Sequence, residues 1–363
     1  MKGLITLRFK RTSADYDILV TDEKPLISLS DKTSSMDYSS LVLVTNTIVW
    51  RLYGSIVSSL FKKKSTRCAV IVLPDGEKYK NLKTVKRIYD KLLSCNSDRS
   101  SIIIGMGGGV IGDIAGFAAS TYMRGVRYIQ VPTTLLAQVD ASIGGKTGVD
   151  HPLAKNIIGT FHQPSFVYSN INFLKTLPKR IYMAGMAEII RYGAIKDEKL
   201  FLYIEEHRKD ILNHDPATML KLVLDSGRIK ADIVQKDEKE VSGTRMLLNF
   251  GHTFGHAIEI LTGYKILHGE AVGIGMIIAS RLSYALNLCK NDVPVRIEHM
   301  VKGIGLPGSF KGLDIESLSK AVKYDKKSNG NEINLVLLKK IGAPVIYKMD
   351  KRILKKTLTE VRV

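Results

Sequence analysis

The sequence predicts an α/β N-terminal domain with a parallel, Rossmann-like sheet, followed by a mostly α-helical domain. Three observations carry this. Short apolar runs alternate with helically spaced segments through residue 177, the pattern of repeated βαβ units and therefore of a parallel sheet. After Pro178 the strand runs nearly vanish and helical segments follow one another. The chain has 363 residues, and at about 100–200 residues per domain that suits two domains. The expected division is 1–177 and 178–363, with no Gly/Ser- or Pro-rich linker between.

Along the first domain, LVLVTN (41–46) reads as a buried strand, and helical spacing runs from Asn46 to residue 62. CAVIVLP (68–74) is a second strand, stopped by Pro74. Val85, Ile88, Leu92 and Leu93 then form one helix face. SIIIGM (101–106) is a third strand leading into the helical GVIGDIAGFAAS, and RYIQVP (127–132) is a fourth. In the second domain IYMAGMAEIIRYGAI, EKLFLYIEEHRKDIL, ATMLKLVLDSGRIKADIVQKD, TFGHAIEILT and AVGIGMIIASRLSYALNL all read as helices. One β-like piece, INLVLLKKIG (333–342), lies near the end.

Composition excludes several classes. With 45% apolar and 25% charged residues the chain is of ordinary globular type, not disordered, collagenous or coiled coil. Its apolar runs are short and broken by Gly, Lys or Asp, so none spans a bilayer. The opening MKGLITLRFKRTSADYD is no signal peptide. Cys68, Cys95 and Cys289 are too few and too scattered for a disulfide framework or a CxxC metal site, which fits a reducing, cytoplasmic setting. Lys plus Arg number 54 against 35 Asp plus Glu, a net charge of +19. Such a balance suits nucleic acid, an anionic membrane surface or an anionic small substrate. The charges are mixed along the chain and no RGG, zinc-finger or RNP pattern is present, so a lysine-rich solvated surface is the plainer reading and nucleic acid is disfavoured.

Gly107-Gly108-Gly109-Val110-Ile111-Gly112 follows the third strand and opens a helix. Glycines there let backbone N–H groups approach a phosphate at a helix N-terminus. The usual dinucleotide fingerprint follows the first strand and has an acid about twenty residues on; here Arg127 to Gln130 occupy that region, and a tight turn is an equally good reading. Asp113 suits either a helix N-terminal charge or a cofactor contact. Glu77, within Asp75-Gly76-Glu77-Lys78-Tyr79-Lys80 past the second strand, is placed to hold ribose hydroxyls if this is not merely a polar turn. The segment 120–160 gathers Arg124, Thr133, Thr134, Asp140, Lys146, Lys155 and Asn156, cations and small polar groups that suit an anionic substrate. Its SIGGKTG is not a Walker A loop, because Asp140 stands where the first glycine is required, and an ATPase is disfavoured.

Metal-ligand candidates are Glu188, His252, His256 and His268. His252 and His256 share a helix face four residues apart, and imidazole with carboxylate suits Zn²⁺ with an open position for substrate. Glu188 is a lone glutamate in AGMAEIIRYG and needs a partner, which a metal or Arg191 would supply equally well.

PDGEKYKN, MGGGVIGDIAGFAAS, YMRGVRYIQVPTTLLAQVDASIGGKTGVD, KNIIGTFHQP, GMAEIIRYG, LNFGHTFGHAIE, HGEAVGIGM and DKK with a trailing IG follow in this order from about residue 74 to 342. With this set the chain resembles the 3-dehydroquinate synthase family of the sugar-phosphate cyclase superfamily. The resemblance implies an NAD-binding α/β domain, a helical metal- and substrate-binding domain, and a homodimer. It implies a carbon–oxygen lyase of the shikimate pathway to aromatic amino acids, converting 3-deoxy-D-arabino-heptulosonate 7-phosphate to 3-dehydroquinate and phosphate. In that chemistry a hydroxyl is oxidised by NAD⁺, phosphate is eliminated, the ketone is reduced again and the opened ring closes by an aldol step.

Residue by residue, the resemblance makes Glu188, His252 and His268 the ligands of Zn²⁺ (or Co²⁺), and leaves His256 near the substrate phosphate. Asn46, Glu77, Lys80, Gly108, Gly109, Asp113, Thr133, Thr134, Lys146, Lys155, Phe173 and Thr176 correspond to positions around NAD. Lys146, Asn156, Lys230, Arg245, Asn249, His256 and one of Lys326 and Lys327 correspond to substrate positions, and Arg124 to an arginine reaching the neighbouring subunit's site. One departure stands out: Arg191 replaces the lysine usual in that segment, a planar fork in place of a point charge.

Overall fold

The computed structural model describes residues 4–9, 15–62, 67–238, 240, 242–312, 314–323 and 331–360. Two compact units result: Met1–Leu177 with Met219–Ala231, and Pro178–Thr218 with Asp232–Val363.

The first unit holds a seven-stranded sheet. Its strands are β1 (Leu4–Phe9), β2 (Tyr16–Thr21), β3 (Ser40–Asn46), β4 (Arg67–Leu73), β5 (Ile102–Gly107), β6 (Arg127–Pro132) and, after a separate hairpin of β7 (Lys146–His151) and β8 (Ala154–Phe161), β9 (Phe166–Asn170). The order is β1-β2-β9-β6-β5-β3-β4, with β1–β2 antiparallel and every other neighbouring pair parallel. The expected parallel α/β class is borne out. Alternate residues of β3 face opposite sides of the sheet: Val42 and Val44 pack with Ile88, Ile114 and Ala118, while Leu41 and Leu43 pack with Val49, Tyr53 and Val57. Helices on both faces explain why this strand reads as an unbroken apolar run.

The chain runs from β3 outward to β4, then crosses back to β5 on the other side of β3. The order therefore reverses between β3 and β5, and ligands of open α/β sheets bind beyond the carboxyl ends at such a reversal. Those ends are Asn46 and Gly107.

Three features depart from the expected pattern. The β1–β2 hairpin and β9 extend the four anticipated strands; β1 is an exposed edge whose burial alternates, so it lacks a continuous apolar run. The polar 146–161 segment forms the β7–β8 hairpin, with β8 exposed or half-buried throughout, so its sequence carries no strand-like apolar face. Met219–Ala231 belongs with the first unit and not with 178–363. Gly227 makes room for Leu7 and Ile143, and Lys230 pairs with Asp140 at 3.0 Å, contacts that a linear division at Pro178 cannot anticipate.

The second unit is mostly helical, as expected. It comprises Lys179–Ile195, Glu198–Glu206, Arg208–Leu212, His252–Leu261, His268–Ala285, Asp292–Gly303, Ile315–Lys323 and Lys351–Glu360, with parts of Pro216–Lys236. EKLFLYIEEHRKDIL is two helices, divided at His207. The β-like piece near the end is the first strand of a hairpin, β10 (Glu332–Lys340) and β11 (Ala343–Asp350). Among the described residues no helix is long and apolar enough to cross a membrane.

Candidate active site

Glu188, His252 and His268 come from three helices, and glycines set how closely those helices meet. A Cβ on Gly269 would fall 1.8 Å from the carbonyl oxygen of Ala184, one turn before Glu188 on its helix. A Cβ on Gly275 would fall 2.0 Å from the carbonyl oxygen of Gly251, the residue before His252. Only glycine permits either approach, and together they bring the start of His268–Ala285 against both ligand-bearing partners. The helix start is fixed further: Glu270 accepts the Leu267 N–H at 3.0 Å and is gripped by Arg180 at 2.6 and 2.7 Å.

The three side chains converge. Glu188 Oε1 lies 3.6 Å from Nε2 of both His252 and His268, and one donor atom from each of the three residues lies within 4.8 Å of the others. Glu188 is buried, and its Oε1 has no hydrogen-bond partner among the described residues. The other oxygen, Oε2, accepts from Arg191 Nε at 2.6 Å. Arg191 thus takes one oxygen of Glu188 and leaves the other facing the two imidazoles. His252 Nδ1 is 3.3 Å from the Phe250 carbonyl and His268 Nδ1 is 3.2 Å from Glu259 Oε2, so each ring has an acceptor at Nδ1 and presents Nε2 to Glu188. A buried carboxylate oxygen without a hydrogen, facing two imidazole nitrogens, fits a divalent ion with N and O ligands.

Electrostatics agree. Burial disfavours ionised Glu188, but Arg191, His252 and His268 hold its carboxyl well below the usual range. Burial drives His252 well below an ordinary histidine, with Glu188 opposing. For His268 burial also acts downward, yet Glu188 and Glu259 push it up to about 10. The cluster therefore attracts one cation, a role that a proton or a metal ion competes to fill.

His256 is not in this trio, so the HxxxH pair suggested by spacing does not meet around Glu188. Its ring lies 5.5 Å from that of His252 and 5.9 Å from that of His268, and it groups instead with Glu259 and His268. In the same unit Arg245 is buried, donates to the Glu238 carbonyl and pairs with Glu240 at 3.3 Å. Asn249 ends the 3₁₀ turn before Gly251-His252 and is half-buried. Lys326 and Lys327 lie outside the described residues.

In the first unit Asn46, Glu77, Gly108, Gly109, Thr133 and Thr134 lie at or just past the carboxyl ends of β3 to β6, Lys146 and Lys155 on the β7–β8 hairpin, and Phe173 and Thr176 just after β9. Asn46 caps the helix Thr47–Lys62 by accepting from Val49 N, and donates to Asp75 across to the end of β4. Gly108 caps the helix Gly109–Thr121, and a Cβ there would close to 3.2 Å from Thr134. Thr133 N donates to the Gly107 carbonyl, tying the ends of β5 and β6 together. A glycine surface with helix N–H groups behind it suits a pyrophosphate.

Lys80 is the hub beside it. Buried, it donates to Asp113 and Asn156 at 2.5 Å each. Burial alone would lower its pKa, but Asp113, Glu77 and Asp150 raise it, so the ammonium persists. Asp113 is raised by burial against the pull of Lys80 and Lys230. Asn156 adopts a left-handed backbone (φ 54°), and its N–H donates to Asp150 at 2.7 Å. Asp150 in turn donates its own N–H to the Lys80 carbonyl, pinning the β7–β8 hairpin to this hub. Lys155 lies 4.0 Å from Glu77. Phe173 packs edge-on to Tyr53, whose hydroxyl is 2.7 Å from Thr176. Lys146 opens β7 after two positive-φ glycines; a strand follows it, not the helix that a Walker A lysine begins. Arg124 is exposed at φ 65° in a turn and joins none of these bonds.

Two groups in contact with these candidate residues escaped the sequence. Glu259 stands at i+7 from His252 and i+3 from His256, a spacing that marks one helix face and was there to be read. Asp150, which positions Asn156, carries no local signal.

A family model described as 3-dehydroquinate synthase N-terminal matches residues 70–184, and one described as 3-dehydroquinate synthase C-terminal matches residues 185–328. A 3-dehydroquinate synthase from Acetivibrio thermocellus is 40% identical over 348 residues, 96% of each chain. One from Thermodesulfovibrio yellowstonii is 42% identical over 358 residues, 98% of this chain and 99% of the relative. Among solved structures, 2-epi-5-epi-valiolone synthase from Streptomyces hygroscopicus, with NAD⁺ and Zn²⁺ bound, superposes with a TM-score of 0.87 at 28% identity, covering 97% and 98% of the two chains.

Proposed function

The chain belongs to the 3-dehydroquinate synthase family, and we infer that it converts 3-deoxy-D-arabino-heptulosonate 7-phosphate to 3-dehydroquinate with release of phosphate, as a carbon–oxygen lyase using NAD⁺ and a divalent ion, Zn²⁺ or Co²⁺. The observation that carries the metal-dependent reading is the meeting of Glu188, His252 and His268 around a carboxylate oxygen that has no hydrogen-bond partner among the described residues. When bound, NAD⁺ supplies reversible hydride acceptance and the ion polarises the hydroxyl being oxidised.

The chain's own residues supply binding and orientation. Gly108 and Gly109, at the start of their helix, receive the dinucleotide phosphates, with Asn46, Glu77, Asp113, Thr133, Thr134, Lys155, Phe173 and Thr176 around them. Lys80 donates to the carboxylate of Asp113 and to the amide of Asn156, so both are held in one orientation before a ligand arrives. Lys146, Asn156, Lys230, Arg245, Asn249, His256 and one of Lys326 and Lys327 hold the substrate's carboxylate and phosphate. Charge-assisted bonds of this kind restrain an acyclic intermediate that must close on itself. Phosphate release from the heptulosonate phosphate by metal-loaded protein with NAD⁺ tests the reading. Release without net NADH is expected; no phosphate, or NADH accumulating in step with substrate, overturns it.

The homodimer belongs to the same proposal, with Arg124 serving the neighbouring subunit's site; the free cysteines are compatible with a reducing cytoplasm. Arg124→Ala is expected to be inactive alone. Mixed with inactive His268→Ala, it should regain up to about a quarter of wild-type activity if half the chains pair heterologously and one of two sites is then intact. Activity of the mixture no greater than that of its parts argues against a shared site.

A further inference from the structure

Resting on the ligand reading above, we propose that Glu259 is a positioning residue for the metal site: its carboxylate orients the His268 ring and strengthens Nε2 as a ligand. His252, His256 and Glu259 occupy i, i+4 and i+7 of the helix His252–Leu261, so one face carries both a ligand and the carboxylate that serves a second ligand on the facing helix. The Glu259 side chain is 12% exposed, and its Oε2 is 3.2 Å from His268 Nδ1. In the neutral ring that contact favours the proton on Nδ1 and leaves the lone pair on Nε2, the atom that faces Glu188 Oε1.

The two histidines are not held alike. Phe250 offers His252 a neutral carbonyl, whereas Glu259 offers His268 a carboxylate. The charged acceptor pushes electron density toward Nε2, and His268 also needs more restraint, since its side chain is 34% exposed against 14% for His252. Carboxylate–histidine–metal arrangements of this kind typically lose about 10–100-fold in metal affinity when the outer carboxylate is removed.

Glu259 also groups with His256 and His268 in a second arrangement of possible ligand atoms. In that arrangement Glu259 would itself be a ligand, and full-length protein would take two ions per chain. The proposal assigns it to the outer role and one ion.

The experiment measures Co²⁺ affinity by competition with a chromophoric chelator, together with the visible Co²⁺ spectrum, for wild type, Glu259→Gln, Glu259→Leu and His268→Ala. Expected are one Co²⁺ per wild-type chain and about 10–100-fold weaker binding with an altered spectrum in both Glu259 variants. Their metal-free forms should keep wild-type circular dichroism, and the altered Co²⁺ spectrum is the readout that a merely structural ion pair would not move. Wild-type affinity and spectrum in both Glu259 variants, while His268→Ala loses Co²⁺, overturns this inference and leaves the ligand set standing. Two ions in wild type, with one lost in Glu259→Gln, overturns it in favour of direct ligation. Undiminished binding in His268→Ala overturns the ligand reading itself.

Discussion

His268→Ala is expected to abolish stoichiometric metal binding and to lower turnover by about a thousandfold or more, with the fold intact. The rate figure follows from the several kcal/mol that a Lewis-acidic ion contributes to charge stabilisation; at one decade per 1.36 kcal/mol, about 4 kcal/mol is a thousandfold. The fold survives because nothing in the helix start depends on the imidazole. Leu267 N is satisfied by Glu270, which Arg180 holds from the neighbouring helix. The lost ring is part-exposed, so no closed cavity is left in the core. Glu188 keeps its bond to Arg191, so its buried charge is not orphaned. Metal content after exhaustive dialysis, phosphate release and circular dichroism decide the matter together. A variant that keeps stoichiometric zinc and full turnover removes His268 from the ligand set.

The ligand set shows where local reading of a sequence stops. A helix face is legible at i and i+4, so spacing alone pairs His252 with His256. The trio that meets around Glu188 is brought together by close helix approaches at Gly269 and Gly275, between residues up to 80 positions apart, and no periodicity encodes such a meeting. The ordered family motifs pointed to those three residues instead. The same division runs through the fold. β3 and β5 are covered on both sides and announce themselves as apolar runs, while β1 lies at an edge and β8 is open to solvent, so neither does. At the reversal point the glycine turn itself was legible, but the pinning beside it through Lys80, Asn156 and Asp150 depends on a hairpin with little apolar signal.

Glu188→Ala separates metal binding from stability in a way that His268→Ala does not. It should lose the metal and also destabilise the metal-free protein by about 3–5 kcal/mol, the usual cost of breaking a buried ion pair from one side. Arg191 is 1% exposed. Its Nε and Nη2 both meet Glu188 Oε2, at 2.6 and 2.5 Å, and Nη1 donates to the Leu248 carbonyl. Without the carboxylate, a permanently charged guanidinium remains in the interior with a carbonyl in place of its counter-ion. The planar fork also gives a physical use for arginine at this position: it spans a carboxylate and a backbone carbonyl at once, and a lysine's single ammonium has no such geometry. Removing both charges reverses the penalty. Glu188→Ala combined with Arg191→Met should recover most of the lost stability, because a well-packed apolar pair can replace a buried ion pair at little cost, while metal binding stays absent. Urea unfolding of the metal-free proteins reads the difference directly. A single variant as stable as wild type, or a double variant no more stable than the single, shows that Arg191 does not depend on Glu188 for its charge.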